Sequence, residues 1–364
     1  MHPSILGTAL EPGAVVQFLE QLGYAAPEIT KFEPIGSAAD ADMKAGGYGK
    51  PIRIRFTSGG KEHDTVLRTS VADDFGHDRR ADRYQAAILG FDSFSRVPRH
   101  CRPLAVGTVR PDGSLEGIQL GEPFLLTTYD PGEIYVKDIL RLASEDQAEA
   151  LDLERASTLA GYLAELHSET ASARSYRRFV RDTLGSGEGV FGLCDAYEAN
   201  DPVAPPERLE RLEQKWVSWR WQLKRRTDRA RRTHGDFHPF NLLFNEGVEL
   251  RVLDASRGVA GDPADDLSAL SINYLFFALR ARDRFDGALR QLWSRFFASY
   301  LERRPDEEMF RSIGPLYAWR SLVLACPAWY PDVSPELRDR LLRFSERLLD
   351  GAPFHPEKVE DLLA

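Results

Sequence analysis

Apolar positions recur with two different periods along the chain, and the change of period divides it. An amphipathic helix is expected over Pro12 to Leu22, followed by a strand over Ile29 to Ile35. Ile52, Ile54 and Phe56 then alternate with Arg53, Arg55 and Thr57, the period of two of a half-buried strand. Ser58, Gly59, Gly60 and Lys61 supply a turn into a third strand over Thr65 to Thr69, so the first third reads as an antiparallel meander. A polar helix is expected at about Asp78 to Leu89. Gln119 to Tyr129 reads as a further strand, closed by Asp130, Pro131 and Gly132, a hinge. From Val136 onward the period is helical, as in Leu153, Leu159, Leu163 and Leu166. One strand-rich island interrupts the helices: Leu242 to Phe244 and Leu250 to Leu253, joined by a turn at Asn245, Glu246 and Gly247. Asp201 to Pro206, with its three prolines, is expected to be a flexible connection.

At 364 residues the chain exceeds what one compact core usually holds, so two domains with a cleft between them are expected, 1–127 and 128–364. The class is α+β, a small antiparallel sheet first and a larger, mainly helical part after it. A net charge of -9 excludes a general nucleic-acid binder, whose affinity would need clustered Lys and Arg. Cys101, Cys194 and Cys326 are odd in number and far apart, which excludes a disulfide framework or zinc cage. The first twenty residues lack a basic start with an apolar run, and stretches such as Tyr274 to Leu279 are too short to span a bilayer. A cytoplasmic protein with no membrane partner is expected; the sequence leaves the oligomeric state open.

The island is flanked by the two segments that carry chemistry, HGDFHPFN at 234–241 and DASRGVAGDPADDL at 254–267. Phosphoryl transfer needs a carboxylate to orient or deprotonate the attacking hydroxyl, and oxygen ligands that hold magnesium against the phosphates. Asp236 is placed to act as the base. Asn241, five residues later, can turn its amide oxygen back to a metal, and the hairpin returns the chain so that Asp254 presents a carboxylate to the same ion.

These segments resemble the aminoglycoside phosphotransferase family, whose relatives include choline-kinase-like, homoserine-kinase-like and other small-molecule kinases. The family pattern is similar to HGDxHxxN, an apolar hairpin, and an Asp followed eight residues later by the Asp of GDPxxDL, here Asp254 and Asp262. The resemblance implies a bilobal protein-kinase-like fold that binds ATP and Mg2+ between its lobes and phosphorylates a hydroxyl of a small molecule. It implies Asp236 as catalytic base, Asn241 and Asp254 as magnesium ligands, and Asp266 as a brace of the catalytic loop. Arg68 in TVLRT would sit on the third strand and grip phosphates, with Asp82 of the next helix as its partner. Backbone groups at Thr127, Thr128 and Tyr129 would meet the adenine. Gly36 begins the segment where a phosphate loop is expected, with Ser37 as its candidate contact and Asp40 and Asp42 departing from that pattern.

Other readings of the same residues stay open. His234 and His238 flank Asp236 and could serve a metal-dependent hydrolase instead, although they read more simply as supports of the loop. A nucleotide-binding pseudokinase is a third reading. Asp262, followed by Pro263, reads as a helix cap, Asp265 as an exposed acid of the first helical turn, and His167 as a packing residue at a helix end. The basic run from Arg220 to Arg232 reads as a solvated face with Trp216, Trp219 and Trp221 packed inward, or as an attractor of anions. Arg257 falls where many relatives carry a Trp-Glu pair, which would alter substrate handling. Trp329 and Tyr330, bracketed by Pro327 and Pro331, form a turn that packs helices or walls an acceptor pocket.

Overall fold

The computed structural model describes residues 4–5, 8–35, 51–70, 72, 76–118, 121, 125–255 and 257–363. The expectations at Gly36, Ser37, Asp40 and Asp42 lie outside these residues. The chain divides into two compact units, Met1–Thr127 and Thr128–Ala364. It is α+β, with an antiparallel sheet in the first unit and mostly helices in the second.

In the first unit, β1 (Ser4–Ile5) and β2 (Thr8–Ala9) form a short hairpin ahead of α1 (Pro12–Gln21). The main sheet has the order β3 (Glu28–Pro34), β4 (Ile52–Ser58), β5 (Lys61–Leu67), all antiparallel. Strand pleating sends alternate side chains to opposite faces. Ile52, Ile54 and Phe56 therefore enter a core with Leu10, Val15, Leu19 and Leu115. Arg53 and Arg55 turn the other way and meet Asp64 across the ladder, at 2.9 Å from Arg53 Nε and 3.1 Å from Arg55 Nη2. Strand β5 ends at Leu67, so Arg68 stands one residue beyond it rather than within it.

Helix α2 (Arg80–Phe94) follows, and then a hairpin of β6 (Gly107–Val109) and β7 (Leu115–Gly117) that the hydrophobic pattern did not reveal. Its turn signal was present in Pro111-Asp112-Gly113: Asp112 Oδ1 accepts the Ser114 backbone N–H at 2.9 Å, the side-chain-to-backbone bond that makes Asp a turn residue. The expected strand over Gln119 to Tyr129 is not formed where the chain is described. Leu125 to Tyr129 lie outside any strand, and Leu125, Leu126 and Tyr129 are 86–88% exposed. An apolar run becomes a strand only where a neighbouring strand completes its hydrogen bonds.

In the second unit, β8 (Glu133–Ile134), β9 (Leu242–Phe244) and β10 (Leu250–Val252) make a small sheet in the order β10-β9-β8. Around it run α3 (Val136–Glu145), α4 (Ala150–Leu166), α5 (Ala173–Gly185), α6 (Val190–Asp195), α7 (Pro206–Leu223), α8 (Pro263–Arg282), α9 (Gly287–Arg303), α10 (Ile313–Leu324) and α11 (Pro335–Leu349). Helix α8 is buried on every side from Pro263 to Leu279, which makes it the axis of this core. No helix among the described residues is long and apolar enough to cross a membrane.

Two local expectations are corrected here. Asp201 to Pro206 is a pinned turn, not a flexible connection: Asp201 is buried, its Oδ1 accepts the backbone N–H groups of Val203 and Ala204 at 2.8 and 2.9 Å, and its Oδ2 pairs with buried Arg338. Three prolines mark where the chain bends, and the aspartate fixes the bend. Of the three tryptophans in α7, Trp216 is buried, Trp219 donates from Nε1 to Leu349 O at 2.9 Å, and Trp221 faces outward with Lys224 Nζ 3.7 Å above its ring.

Candidate active site

The segment His234 to Asn241 is a loop that its own side chains and one helix hold in shape. Gly235 has a φ of 84°, which glycine adopts without steric cost, and a Cβ there would stand 3.0 Å from Gly258 O. Asp266, in the first turn of α8 and fully buried, accepts the backbone N–H of His234 at 2.7 Å and of Gly235 at 2.8 Å. His167, at the end of α4, bonds Asp266 Oδ2 through Nε2 at 3.1 Å and Tyr300 Oη through Nδ1 at 2.8 Å. It is thus part of a hydrogen-bonded chain as well as of the packing. Phe237 anchors the loop in the core, stacked on Tyr162. Asp262 caps α8, accepting the Ala264 N–H at 3.1 Å, and takes a bidentate pair from buried Arg229 at 2.8 Å on each oxygen.

The two loop histidines are occupied locally. His234 Nδ1 accepts the Asp236 N–H at 3.3 Å, and its Nε2 is buried without a hydrogen-bond partner among the described residues. His238 Nδ1 accepts the Phe240 N–H at 3.2 Å, capping the turn Pro239–Asn241, and its Nε2 lies 3.4 Å from Asp236 Oδ2. Among the described residues no three of His, Cys, Asp and Glu converge as a metal site, so the hydrolase centre of His234, Asp236 and His238 is not assembled.

Asn241 donates from Nδ2 to the Asp236 carbonyl at 3.0 Å, which leaves its Oδ1 as an acceptor. The Leu253 N–H bonds Asn241 O at 2.8 Å, and this bond brings the residue before Asp254 alongside Asn241. Asp254 is exposed just past β10 at a φ of 51°, the left-handed region that Asp tolerates better than most side chains. An amide oxygen and a carboxylate from adjacent backbones are hard oxygen donors, a set that suits magnesium.

The Asp236 carboxylate is mostly buried among cations. Arg320 Nη1 donates to its Oδ1 at 2.9 Å and Arg257 Nη1 lies 3.3 Å from the same oxygen. Burial works to raise its pKa, but the His238 contact and the charges of Arg320 and Arg257 outweigh burial and hold the carboxyl below the usual range. Both guanidinium groups lie over the Trp319 ring, at 4.2 Å for Arg320 and 4.8 Å for Arg257, and Arg257 Nε also reaches exposed Glu188 at 3.1 Å.

Asp265 corrects its expectation. It is buried, not an exposed first-turn acid, and pairs with Arg320 Nη2 at 2.9 Å. Burial, with the neighbouring Asp266 charge, pushes its pKa up to about 6 against the pull of Arg320. Two acids at a helix start satisfy the dipole whether exposed or not, so the pattern did not separate the cases. Arg320 itself went unread. Its signal was that it is the single charge in the apolar helix IGPLYAWRSLVL, where a buried charge requires a partner.

In the first unit, Asp82 accepts the Arg79 N–H at 2.7 Å and so caps α2. Thr127, Thr128 and Tyr129 are exposed. Trp329 is also exposed, while Tyr330 packs on Phe276 at 5.2 Å.

Residues 53–306 match the sequence profile of the phosphotransferase enzyme family, APH. The chain belongs to this family. Solved structures similar to this chain include a glucosamine kinase in complex with glucosamine, ADP and inorganic phosphate, at 17% identity over 63% of this chain and 62% of that one, with a TM-score of 0.41. The chain thus spans less than two thirds of that kinase. An amicoumacin kinase in complex with AMP-PNP, Ca2+ and Ami is 14% identical over 97% of each chain, with a TM-score of 0.39. A Plasmodium vivax ethanolamine kinase is 13% identical over 92% of this chain and 80% of its own, with a TM-score of 0.36. No curated protein sequence is matched. The assignment of this chain to the family rests on its sequence match.

Proposed function

We propose that the chain is an ATP-dependent kinase that moves the γ-phosphoryl group of ATP to a hydroxyl of a small molecule: an aminoglycoside, an amino alcohol, a sugar or a related metabolite. The observation that carries this reading is a mostly buried Asp236 carboxylate on a braced loop, with the Asn241 amide held against the same turn and Asp254 just past β10. Asp236 orients the acceptor hydroxyl for in-line attack. The new bond joins that oxygen to phosphorus, the bond to the β,γ-bridging oxygen breaks, and ADP leaves.

A carboxyl held at low pKa is a weak base, so Asp236 aligns the hydroxyl first and takes its proton only as the phosphoryl group transfers. Asn241 Oδ1 and the Asp254 carboxylate would hold Mg2+, which when bound offsets charge on the phosphates. Arg68, with Asp82 as its partner, would steady the other phosphates, and the backbone of Thr127, Thr128 and Tyr129 would meet the adenine. His234, His238, Asp262 and Asp266 would support the loop.

Support comes from the family match and from the chemistry of the donor set. The test is a thermal-shift titration with Mg-ATP, followed by an ADP-release screen over glucosamine, ethanolamine, streptomycin, gentamicin and simple polyols. A kinase gains stability by ligand linkage and releases ADP with at least one acceptor. Stabilisation without acceptor-dependent ADP would favour a nucleotide-binding pseudokinase, and no stabilisation would contradict both readings.

A further inference from the structure

Asp236 Oδ1 faces Arg320, a side chain that lies 84 positions along the sequence and belongs to no motif of the loop. The guanidinium group is buried and its two terminal nitrogens have different tasks. Nη1 donates to Asp236 Oδ1 at 2.9 Å, and Nη2 donates to Asp265 Oδ1 at 2.9 Å and to Gly235 O at 3.3 Å. One planar fork therefore ties α10 to the first turn of α8, to the loop backbone and to the carboxylate. A lysine, as a single ammonium on a flexible stem, matches this fork poorly.

Burying an arginine with two carboxylates gives little net stability, because desolvation offsets the attraction. What the arrangement supplies is geometry. Oδ1 of Asp236 is taken by Arg320, with Arg257 3.3 Å away, and Oδ2 carries the lighter contact, 3.4 Å to His238 Nε2. Asp265, one residue before the Asp266 that holds the loop backbone, makes the same turn of α8 fix both the loop and the guanidinium group.

We propose that Arg320, anchored by Asp265, is a positioning residue for transfer: it fixes the rotamer of Asp236 so that Oδ2 is the oxygen that meets the acceptor hydroxyl. This rests on the kinase reading above. Asp236 remains the catalytic residue, and Arg320 acts through it.

The test compares full-length Arg320→Met, Arg320→Lys, Asp265→Asn and the double variant Arg320→Met/Asp265→Asn with wild type. ADP release is followed with the best acceptor of the screen and with water as acceptor, and melting temperatures are taken in parallel. A displaced reacting group costs on the order of 100-fold, so Arg320→Met is expected to lose about that much kcat while both KM values stay within about twofold. Arg320→Lys should restore part of the loss. Asp265→Asn should lose less, and the double variant should be no slower than Arg320→Met, since the two residues act as one unit. Wild-type kcat in Arg320→Met, or losses that simply add in the double variant, would overturn the proposal. If Arg320→Met does not fold, Arg320→Lys and Asp265→Asn decide it: wild-type kcat in both overturns it, and lowered kcat at unchanged KM supports it. Absence of acceptor-dependent ADP release in wild type would instead sink the kinase reading, so the two failures are distinguishable.

Discussion

Asp266 Oδ1 accepts the backbone N–H of Gly235 at 2.8 Å, across 31 positions of sequence. Its other oxygen accepts the His234 N–H at 2.7 Å and lies 3.1 Å from His167 Nε2. Replacing Asp266 with Ala would leave two buried backbone donors unpaired, at a cost of roughly 3–5 kcal/mol. The expected result is a lower urea midpoint at an unchanged slope, together with loss of activity. A midpoint equal to wild type would show that the bonds are dispensable.

Gly235 makes the turn that these bonds secure. At a φ of 84° and with Gly258 O in the path of a Cβ, Gly235→Ala meets both strain and contact. It is expected to cost about 1–3 kcal/mol, read as a drop in melting temperature, and to lower activity further than its stability loss accounts for. Gly13→Ala, where nothing stands within 4 Å of the added Cβ, serves as the control and should leave activity unchanged.

Arg229 holds the cap of the same helix. Its guanidinium group is buried against fully buried Asp262 and also bonds Asp306 Oδ1 at 2.9 Å. Arg229→Met would strand the Asp262 charge and is expected to cost roughly 3–5 kcal/mol in equilibrium unfolding. Arg229→Lys should recover only part of that, because a point charge cannot reproduce the bidentate pair. Full recovery by lysine would show that charge alone suffices.

Asp265 predicts a pH dependence. Its folded pKa is raised to about 6, by burial first and by Asp266 next, with Arg320 and Arg257 opposing. Between about 4 and 6 the folded state binds more protons at this site than the unfolded chain does. Its contribution to stability is therefore present at low pH, falls as pH rises through that window and is flat above it. Comparing wild type with Asp265→Asn by denaturant unfolding at pH 4, 5, 6 and 7, wild type should lose on the order of 1–3 kcal/mol relative to the variant over this range. Parallel curves would contradict the assignment.

The main sheet of the first unit was legible because one period governs it: Ile52, Ile54 and Phe56 face the core wherever the sheet pairs. The loop 234–241 was legible because its chemistry is local in sequence. Arg320 and Asp265 were not, because their meaning lies in a contact across 55 positions that no period encodes. Burial inverted the reading of Asp265, and hydrogen bonding replaced the expected flexibility of Asp201 to Pro206 with a fixed turn. Leu125 to Tyr129 show the converse, an apolar run that pairs with no strand among the described residues.

Alignment of the acceptor hydroxyl by Asp236 can be read from one comparison. Acceptor-dependent ADP release is measured for wild type and for Asp236→Ala at saturating Mg-ATP, with circular dichroism and Mg-ATP thermal shift confirming that the variant is folded and binds nucleotide. Turnover is expected to fall by about 100-fold to 10,000-fold in the variant, the range over which a positioned acid or base contributes. Turnover within a few-fold of wild type, in a folded variant that binds nucleotide, would contradict the account.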